Sequence, residues 1–160
     1  MLSEDGSLAP LIAKWKDPVA RIPLLVRLAP QIGEDELRRV LELPQLQGLE
    51  LESYVLRHPV VKELSRYPNL VELSVEFRLV APDTIDAVLS QIIAMPGLRR
   101  VHLKGHERLD HGERPNDVDL AMLRAAPKLK RLRLSASPAV TEHGIADLRA
   151  ARPDLSVVRT

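Results

Sequence analysis

Apolar and polar residues follow one recurring phrase along most of the chain. A proline is followed two residues later by leucine, and further apolar residues come three and five positions after that leucine. The phrase begins at Pro44, Pro68, Pro96, Pro127 and Pro153, so successive copies lie 24, 28, 31 and 26 residues apart. This period indicates a stack of similar units, because one unit alone cannot bury its apolar side chains.

Each copy of the phrase predicts a strand that is preceded by a helix. Its apolar residues end in an alternating pattern, as in residues 49–51, and alternation places successive side chains on opposite faces of a strand. The segments before the prolines have helical spacing instead, as in residues 85–93. Asp83, Asn116 and Thr141 are predicted to cap helices. The pattern therefore predicts an α/β solenoid with a parallel sheet on the concave face and helices on the convex face.

The phrase P-x-L-x-x-L-x-L resembles the leucine-rich-repeat family over roughly residues 33–160. Residues 140–158 are similar to the ribonuclease-inhibitor-like or F-box-associated variety, which has a helical outer face. The resemblance implies a leucine-rich-repeat solenoid, and such modules act as substrate adaptors, inhibitors, immunity proteins or effector parts. The position where the family usually carries asparagine holds Tyr54, Arg78, His106 and Ser137. Without asparagine side chains to tie the turns together, we expect irregular turns.

The first 32 residues lack a full copy of the phrase. Residues 19–24 form a degenerate copy with a proline inside its strand, a position that is tolerated only at a sheet edge. We therefore expect residues 1–32 to be an N-terminal capping unit and residues 33–160 to be the repeats of a single domain. The cap would be a short helix around residues 8–15 and an edge strand, with Trp15 shielding the core. The alternative is an all-helical cap.

Composition excludes several classes of function. The 160 residues carry 23 basic and 22 acidic side chains, so any electrostatic function must come from local segregation of charge. Cysteine is absent, which excludes disulfide frameworks, thiolate zinc sites and cysteine nucleophiles. The sequence shows neither a secretory signal pattern nor a run approaching the roughly 20 apolar residues of a membrane span. We expect a cytoplasmic protein that does not bind membranes.

The residues between the buried leucines are predicted to face the concave side, and their charges separate along the stack. Acids occupy the first two strands and bases the last three, with Val157 and Arg159 at the concave positions of the final strand. Such a face favours docking of a protein partner with opposite polarity. Alternatively the charges are solvated and pair across the sheet, as Glu72 with Arg100, for roughly 0–1 kcal/mol each. The predicted partner contacts are Glu50, Glu52, Glu72, Glu76, Phe77, Arg100, His102, Lys104, Arg131 and Arg133.

Two aromatic residues follow strands near the acidic end of this face. Tyr54 follows the first strand and Phe77 follows the second. Binding hot spots favour aromatic residues and arginine, so both side chains are candidate contacts. Their alternative role is packing within turns in place of the missing asparagine, which is the favoured interpretation for Tyr54.

The longest connection between repeats, residues 104–117, contains most of the candidate metal ligands. His102, His106, Asp110 and His111 could bind zinc through imidazole and carboxylate groups. Their spacing matches no established metal motif, so we favour a polar surface loop and predict no metal site.

Carboxylates are the remaining candidates for chemistry. Glu50, Glu52, Glu72 and Glu76 form a cluster, and paired carboxylates can serve glycoside hydrolysis. On an open sheet nothing desolvates a carboxyl group enough to make it a catalytic acid. The sequence also lacks phosphate-binding glycine motifs and a serine nucleophile elbow. We therefore expect a non-enzymatic protein without cofactors, whose protein partner the sequence does not identify.

Two other partners are conceivable from the C-terminal half. Clustered bases could follow the phosphates of a nucleic acid, although stacking aromatics are missing there and the acidic half would repel a long polyanion. These bases are Arg99, Arg100, Lys104, Lys128, Lys130, Arg131, Arg133 and Arg159. The final strand is expected to be an exposed sheet edge, either blunted by Arg159 or covered by a partner or a second copy of the chain.

Overall fold

The computed structural model describes residues 24–28, 32–77, 80–105 and 115–160. In these ranges a six-stranded sheet has its strands in chain order, and every neighbouring pair is parallel. The strands are β1 (Leu24–Arg27), β2 (Leu46–Leu51), β3 (Glu72–Glu76), β4 (Arg100–Lys104), β5 (Arg131–Ser135) and β6 (Ser156–Arg159). The predicted parallel sheet, with one strand for each copy of the phrase, is confirmed.

Helical segments connect successive strands and cover the convex face. The α-helices are α1 (Glu34–Leu41), α2 (Pro82–Ala94), α3 (Asp117–Met122) and α4 (Glu142–Ala151). Between β2 and β3 the chain forms two 3₁₀ segments, Val55–Arg57 and Pro59–Arg66, and a third, Leu123–Ala125, follows α3. The second of these segments begins with Pro59, Val60 and Val61. The β-branched side chains of the two valines lower the propensity for a regular α-helix. None of the described helices is long and apolar enough to cross a membrane.

Buried apolar side chains form rows that run through every repeat. Leu49, Leu73, Val101, Leu132 and Val157 are neighbours in the strand register, and each is at most 5% exposed. A second row consists of Leu51, Val75, Leu103 and Leu134. Complete burial of one such side chain contributes about 1.5–3 kcal/mol to folding. The rows therefore fix which face of each strand is turned toward the helices and which is left for the concave side.

The last strand differs from the prediction by one residue. Val157, not Val158, continues the buried row beside Leu132. The concave positions of β6 are therefore Ser156 and Val158, and the predicted concave positions of Val157 and Arg159 are wrong. The reason is that the final copy has one residue fewer between its leucine and its next core position, and a slip of one residue exchanges the two faces of a strand.

The predicted helix caps are confirmed at two positions and wrong at a third. The Asn116 side chain accepts a hydrogen bond from the Asp119 amide (3.3 Å), and the Asp119 carboxylate accepts one from the Asn116 amide (2.8 Å). Thr141 Oγ1 accepts a hydrogen bond from the Gly144 amide at 3.1 Å. Asp83 does not cap α2, because that helix begins one residue earlier with a proline at its first position.

Neighbouring repeats are tied by different contacts at different joints. The side-chain amide of Asn69 donates a hydrogen bond of 3.3 Å to the backbone carbonyl of Pro44 in the preceding repeat. Between the next two repeats, Gly97 lies so close to the backbone carbonyl oxygen of Pro68 that a Cβ atom at residue 97 would overlap it. At the last joint the Arg152 guanidinium donates to the carbonyls of Ala126 (2.6 Å) and Leu129 (2.9 Å). The contacts between units therefore differ from one pair of repeats to the next.

The N-terminal edge strand is present but lies further along the chain than predicted. Val26 pairs with Leu49 in the register, and Val26 and Leu28 are the buried residues of this segment, where Ile22 and Leu24 were expected. Residues 1–23, with the predicted helix and Trp15, lie outside the described residues, as do Arg78 and the histidines of the long loop. The boundary of a capping unit at residue 32 stays a prediction.

Candidate functional site

The concave face of the sheet carries its side chains in rows that run across the strands. The first row is Leu25, Gly48, Glu72, Arg100, Arg131 and Ser156. The second row is Arg27, Glu50, Ser74, His102, Arg133 and Val158. A third, shorter row contains Glu76, Lys104 and Ser135. Except for Phe77, the predicted partner contacts therefore lie on this face or, in the case of Glu52, directly after β2.

The acidic end of the face is compensated by cations of the same chain. The ammonium group of Lys104 reaches across β3 to Glu50, with 2.6 Å between Nζ and Oε1. Arg27 lies 3.0 Å from Glu52 and 3.8 Å from Glu50. The hydrogen bond from Lys104 is the main cause that lowers the pKa of Glu50. Glu50 is therefore held in its ionised form, and Glu50 and Glu52 both already have cationic partners within the chain.

A second cation–anion pair crosses the middle of the first row. Arg100 Nε donates to Glu72 Oε2 at 2.9 Å, which confirms the pairing predicted between these neighbours. Both side chains are about half exposed, so the pair contributes no more than roughly 1 kcal/mol. Glu76 is part-exposed and makes no ion pair with any residue that the structure describes.

The basic end of the face is not compensated in this way. Arg131 and Arg133 are exposed, and neither has an acidic partner within the described ranges. Among the described residues, Arg133 donates a hydrogen bond to Thr160 Oγ1, at 3.4 Å. In the register Arg131 lies beside Arg100, and Arg133 lies beside His102. We call these four residues the basic quartet.

His102 is the titratable member of the basic quartet. Its Nε2 lies 2.6 Å from the Ser135 hydroxyl oxygen, and the ring is part-buried. Burial is the main cause that lowers the pKa of His102, and the positive charges of Lys104 and Arg133 lower it further. The ring is therefore neutral at physiological pH, and Arg131 and Arg133 carry the uncompensated charge.

The two aromatic residues differ in exposure, in the opposite order to the one expected. Phe77 is 2% exposed, so it belongs to the core and the predicted partner contact there is wrong. The alternation of Leu73, Val75 and Phe77 puts all three on the same side of the strand, and this pattern could have located it. Tyr54, for which packing within a turn was favoured, is 49% exposed.

Sequence reasoning missed an apolar depression at the N-terminal end of the face. Leu25 is 66% exposed and lies over Gly48, where a Cβ atom would overlap the leucine side chain. A cavity of about 210 Å³ opens between these residues, with Glu50, Glu72 and Ser74 among its lining. It was missed because the strand was expected to end at residue 24, so that Leu25 had no place on the sheet.

The described residues of this face were considered as metal ligands and as catalytic acids. Within the described ranges no three metal-ligating side chains come together. His106, Asp110 and His111 lie outside those ranges, so the prediction that they bind no metal is unchanged. Lowering of the pKa of Glu50 is the opposite of what a catalytic acid requires.

Comparison with known proteins identifies the fold and no family. No protein-family model matches the chain, and no curated protein matches it either. Among solved structures, the tropomodulin C-terminal domain of Caenorhabditis elegans is similar, with a TM-score of 0.60 and 11% sequence identity over 92% of each chain.

The attribution to the ribonuclease-inhibitor-like or F-box-associated variety is therefore wrong. The similar structure is a tropomodulin domain, and neither family models nor curated proteins match the chain. The attribution rested on residues 140–158, whose helix-then-strand pattern follows from stacking short parallel strands on helices. Different proteins meet this requirement with different sequences. What the comparison establishes is a leucine-rich-repeat-like fold.

Proposed function

We propose that this protein is a non-enzymatic binding module that docks a protein partner on the concave face of its sheet. The proposal is supported by the charges of Arg131 and Arg133, which have no acidic partner in the part of the chain that the structure describes, beside a face whose other cations have such partners. Solenoid sheets provide extended concave surfaces suited to binding. The exposed Leu25 at the far end of the first row adds an apolar contact point.

A nucleic-acid partner has less support. Of the bases that could follow a phosphate backbone, Arg100, Lys104, Lys130 and Arg159 hold acidic partners within the chain. Binding a polyanion through them would require these ion pairs to be given up. None of the three rows of the concave face contains a phenylalanine, tyrosine or tryptophan on which a base could stack.

The test is affinity capture from a lysate of the source organism, with and without nuclease. Two variants disable opposite ends of the face: Leu25→Lys, and Arg131→Glu with Arg133→Glu. The matched control, Arg57→Glu with Lys62→Glu, reverses two exposed bases in the helical segments between β2 and β3. We expect a nuclease-resistant protein to be retained by the wild type and the control and lost by at least one face variant. Equal retention by all variants, or capture only of nuclease-sensitive material, would refute the proposal.

A further inference from the structure

The lateral arrangement of the basic quartet is unfavourable for the folded chain by itself. Arg131 lies directly beside Arg100 on the neighbouring strand, and Arg133 lies beside His102. Like charges at directly opposed positions of a sheet destabilise it, whereas opposite charges contribute roughly 0.2–1 kcal/mol. Because the His102 ring is neutral, the repulsion acts between Arg131 and Arg100, and an acid in place of Arg131 would remove it. Arg131 is therefore better explained by a ligand than by folding, and Arg133 adds a second exposed cation on the same face.

The ligand that meets this charge must be anionic and small in extent. Arg131 and Arg133 are two residues apart on β5, so their side chains project from the same face of one strand. The next strand, β6, offers only Ser156 and Val158 to this face, and the acids begin two strands away on β3. With neighbouring strands about 4.8 Å apart, the uncompensated zone spans roughly 10 Å, or about three extended residues.

We infer that the basic quartet is a docking site for a short acidic segment of a protein partner, whose carboxylates pair with Arg131 and Arg133. This inference rests on the proposed function and names the chemistry of the partner. Guanidinium groups bind carboxylates through paired hydrogen bonds, which gives the contact both strength and a defined direction. Arg100 takes part less, because Glu72 already holds its guanidinium at 2.9 Å.

A short acidic segment fits this site better than a nucleic acid does. A continuous phosphate backbone extended across the sheet would pass from the basic quartet to Glu72 and Glu76, and the latter makes no ion pair within the described ranges. Two or three consecutive carboxylates end before that repulsion begins. A segment of this size can also approach β6, whose concave side chains are uncharged.

The experiment is an NMR titration of the full chain with triglutamate at physiological ionic strength, following the arginine Nε–H resonances. Triglutamine and an oligothymidine of matched length serve as comparison ligands. We expect saturable shifts at Arg131 and Arg133 with triglutamate only. In the variant Arg131→Gln with Arg133→Gln the dissociation constant should rise roughly tenfold. The control Arg57→Gln with Lys62→Gln should bind as the wild type does.

Three results would overturn the inference: equal shifts with triglutamine, an unchanged dissociation constant in the Arg131 and Arg133 variant, or tighter binding of oligothymidine than of triglutamate. The last result would favour a nucleic-acid ligand. Failure of the inference about the acidic segment can be distinguished from failure of the proposed function. If the captured partner is lost with Leu25→Lys but kept when Arg131 and Arg133 are reversed, the concave face still binds a protein and the acidic segment is excluded.

Discussion

The guanidinium of Arg149 in α4 donates a hydrogen bond of 2.8 Å to the carbonyl oxygen of Val157 in β6. The amides of Ser156 and Thr160 point the other way, toward carbonyls of the preceding strand segment. Polar groups alternate in direction along a strand, so the Val157 carbonyl lies on the outer edge of the sheet. A helix residue thus occupies one of the groups with which an added strand would pair, which is one way that natural sheets protect an edge.

Replacing Arg149 by alanine should therefore increase self-association. If a second copy of the chain paired with β6, it would have to displace the hydrogen bond from Arg149 to the Val157 carbonyl. The alanine variant lacks this bond, so pairing would no longer require its displacement. We expect sedimentation velocity at increasing concentration to detect dimers of Arg149→Ala before those of the wild type. The control His143→Ala changes an exposed residue of the same helix. If both variants sediment as the wild type does, Arg149 does not protect the edge.

Reversing Arg131 alone should stabilise the protein while weakening its binding. Arg131→Glu places a carboxylate opposite Arg100 in the register, and the free energy of unfolding should rise by roughly 0.2–1 kcal/mol. Urea denaturation measures the change, with Arg57→Glu as the control of equal charge. A clear loss of stability in Arg131→Glu would show that the arginine stabilises the fold, and the functional explanation of the quartet would then be wrong.

Acidification should destabilise the fold through His102. Burial lowers the pKa of His102 below its ordinary value of 6.5, so the unfolded chain takes up this proton at a higher pH than the folded chain does. Stability is therefore lost as the pH falls through about 6.5 toward the lowered value. Thermal unfolding between about pH 7.5 and pH 5.0 should show a smaller loss for His102→Gln than for the wild type. His143→Gln, which alters an exposed ring, should keep the larger loss.

Gly144 is predicted to resist a substitution that usually stabilises helices. It lies inside α4, where alanine is favoured over glycine by about 1 kcal/mol. A Cβ atom here would overlap the Asp117 carboxylate, which accepts hydrogen bonds from the Thr141 amide (2.8 Å) and hydroxyl (2.7 Å). Gly144→Ala should therefore lower the free energy of unfolding in the wild type and raise it in an Asp117→Ala background. Independent, additive effects in this double-mutant cycle would contradict the explanation.

The repeats and the sheet could be predicted from the sequence because strand alternation and leucine burial impose the same spacing on each unit. The prediction failed where that spacing changes. In β6 the core position moved by one residue to Val157, and in β1 it moved to Val26. The one-residue shift in β6 exchanges its buried and concave residues. The shift in β1, from Ile22 to Val26 beside Leu49, keeps the alternation but moves the strand along the chain, which brings Leu25 and Arg27 onto the concave face.

Ion pairs were predictable only between neighbours in the register. The pair between Glu72 and Arg100 joins adjacent strands and follows directly from the repeat alignment. The pair between Glu50 and Lys104 skips a strand, because the lysine side chain passes over Ser74, whose buried hydroxyl has no hydrogen-bond partner in the described part of the chain. Side-chain reach of this kind is not encoded in spacing, so the sequence overstated the free negative charge of the face.

The differing ties between repeats have a consequence for how this chain could be shortened, lengthened or recombined. Asn69 and Arg152 donate to the backbone of the unit before them, and Gly97 lies against that backbone. A unit moved to another place in the array would set its own residue of this kind against a neighbour that meets a different one now. Exchanging the order of units should therefore lower stability even where the leucines align.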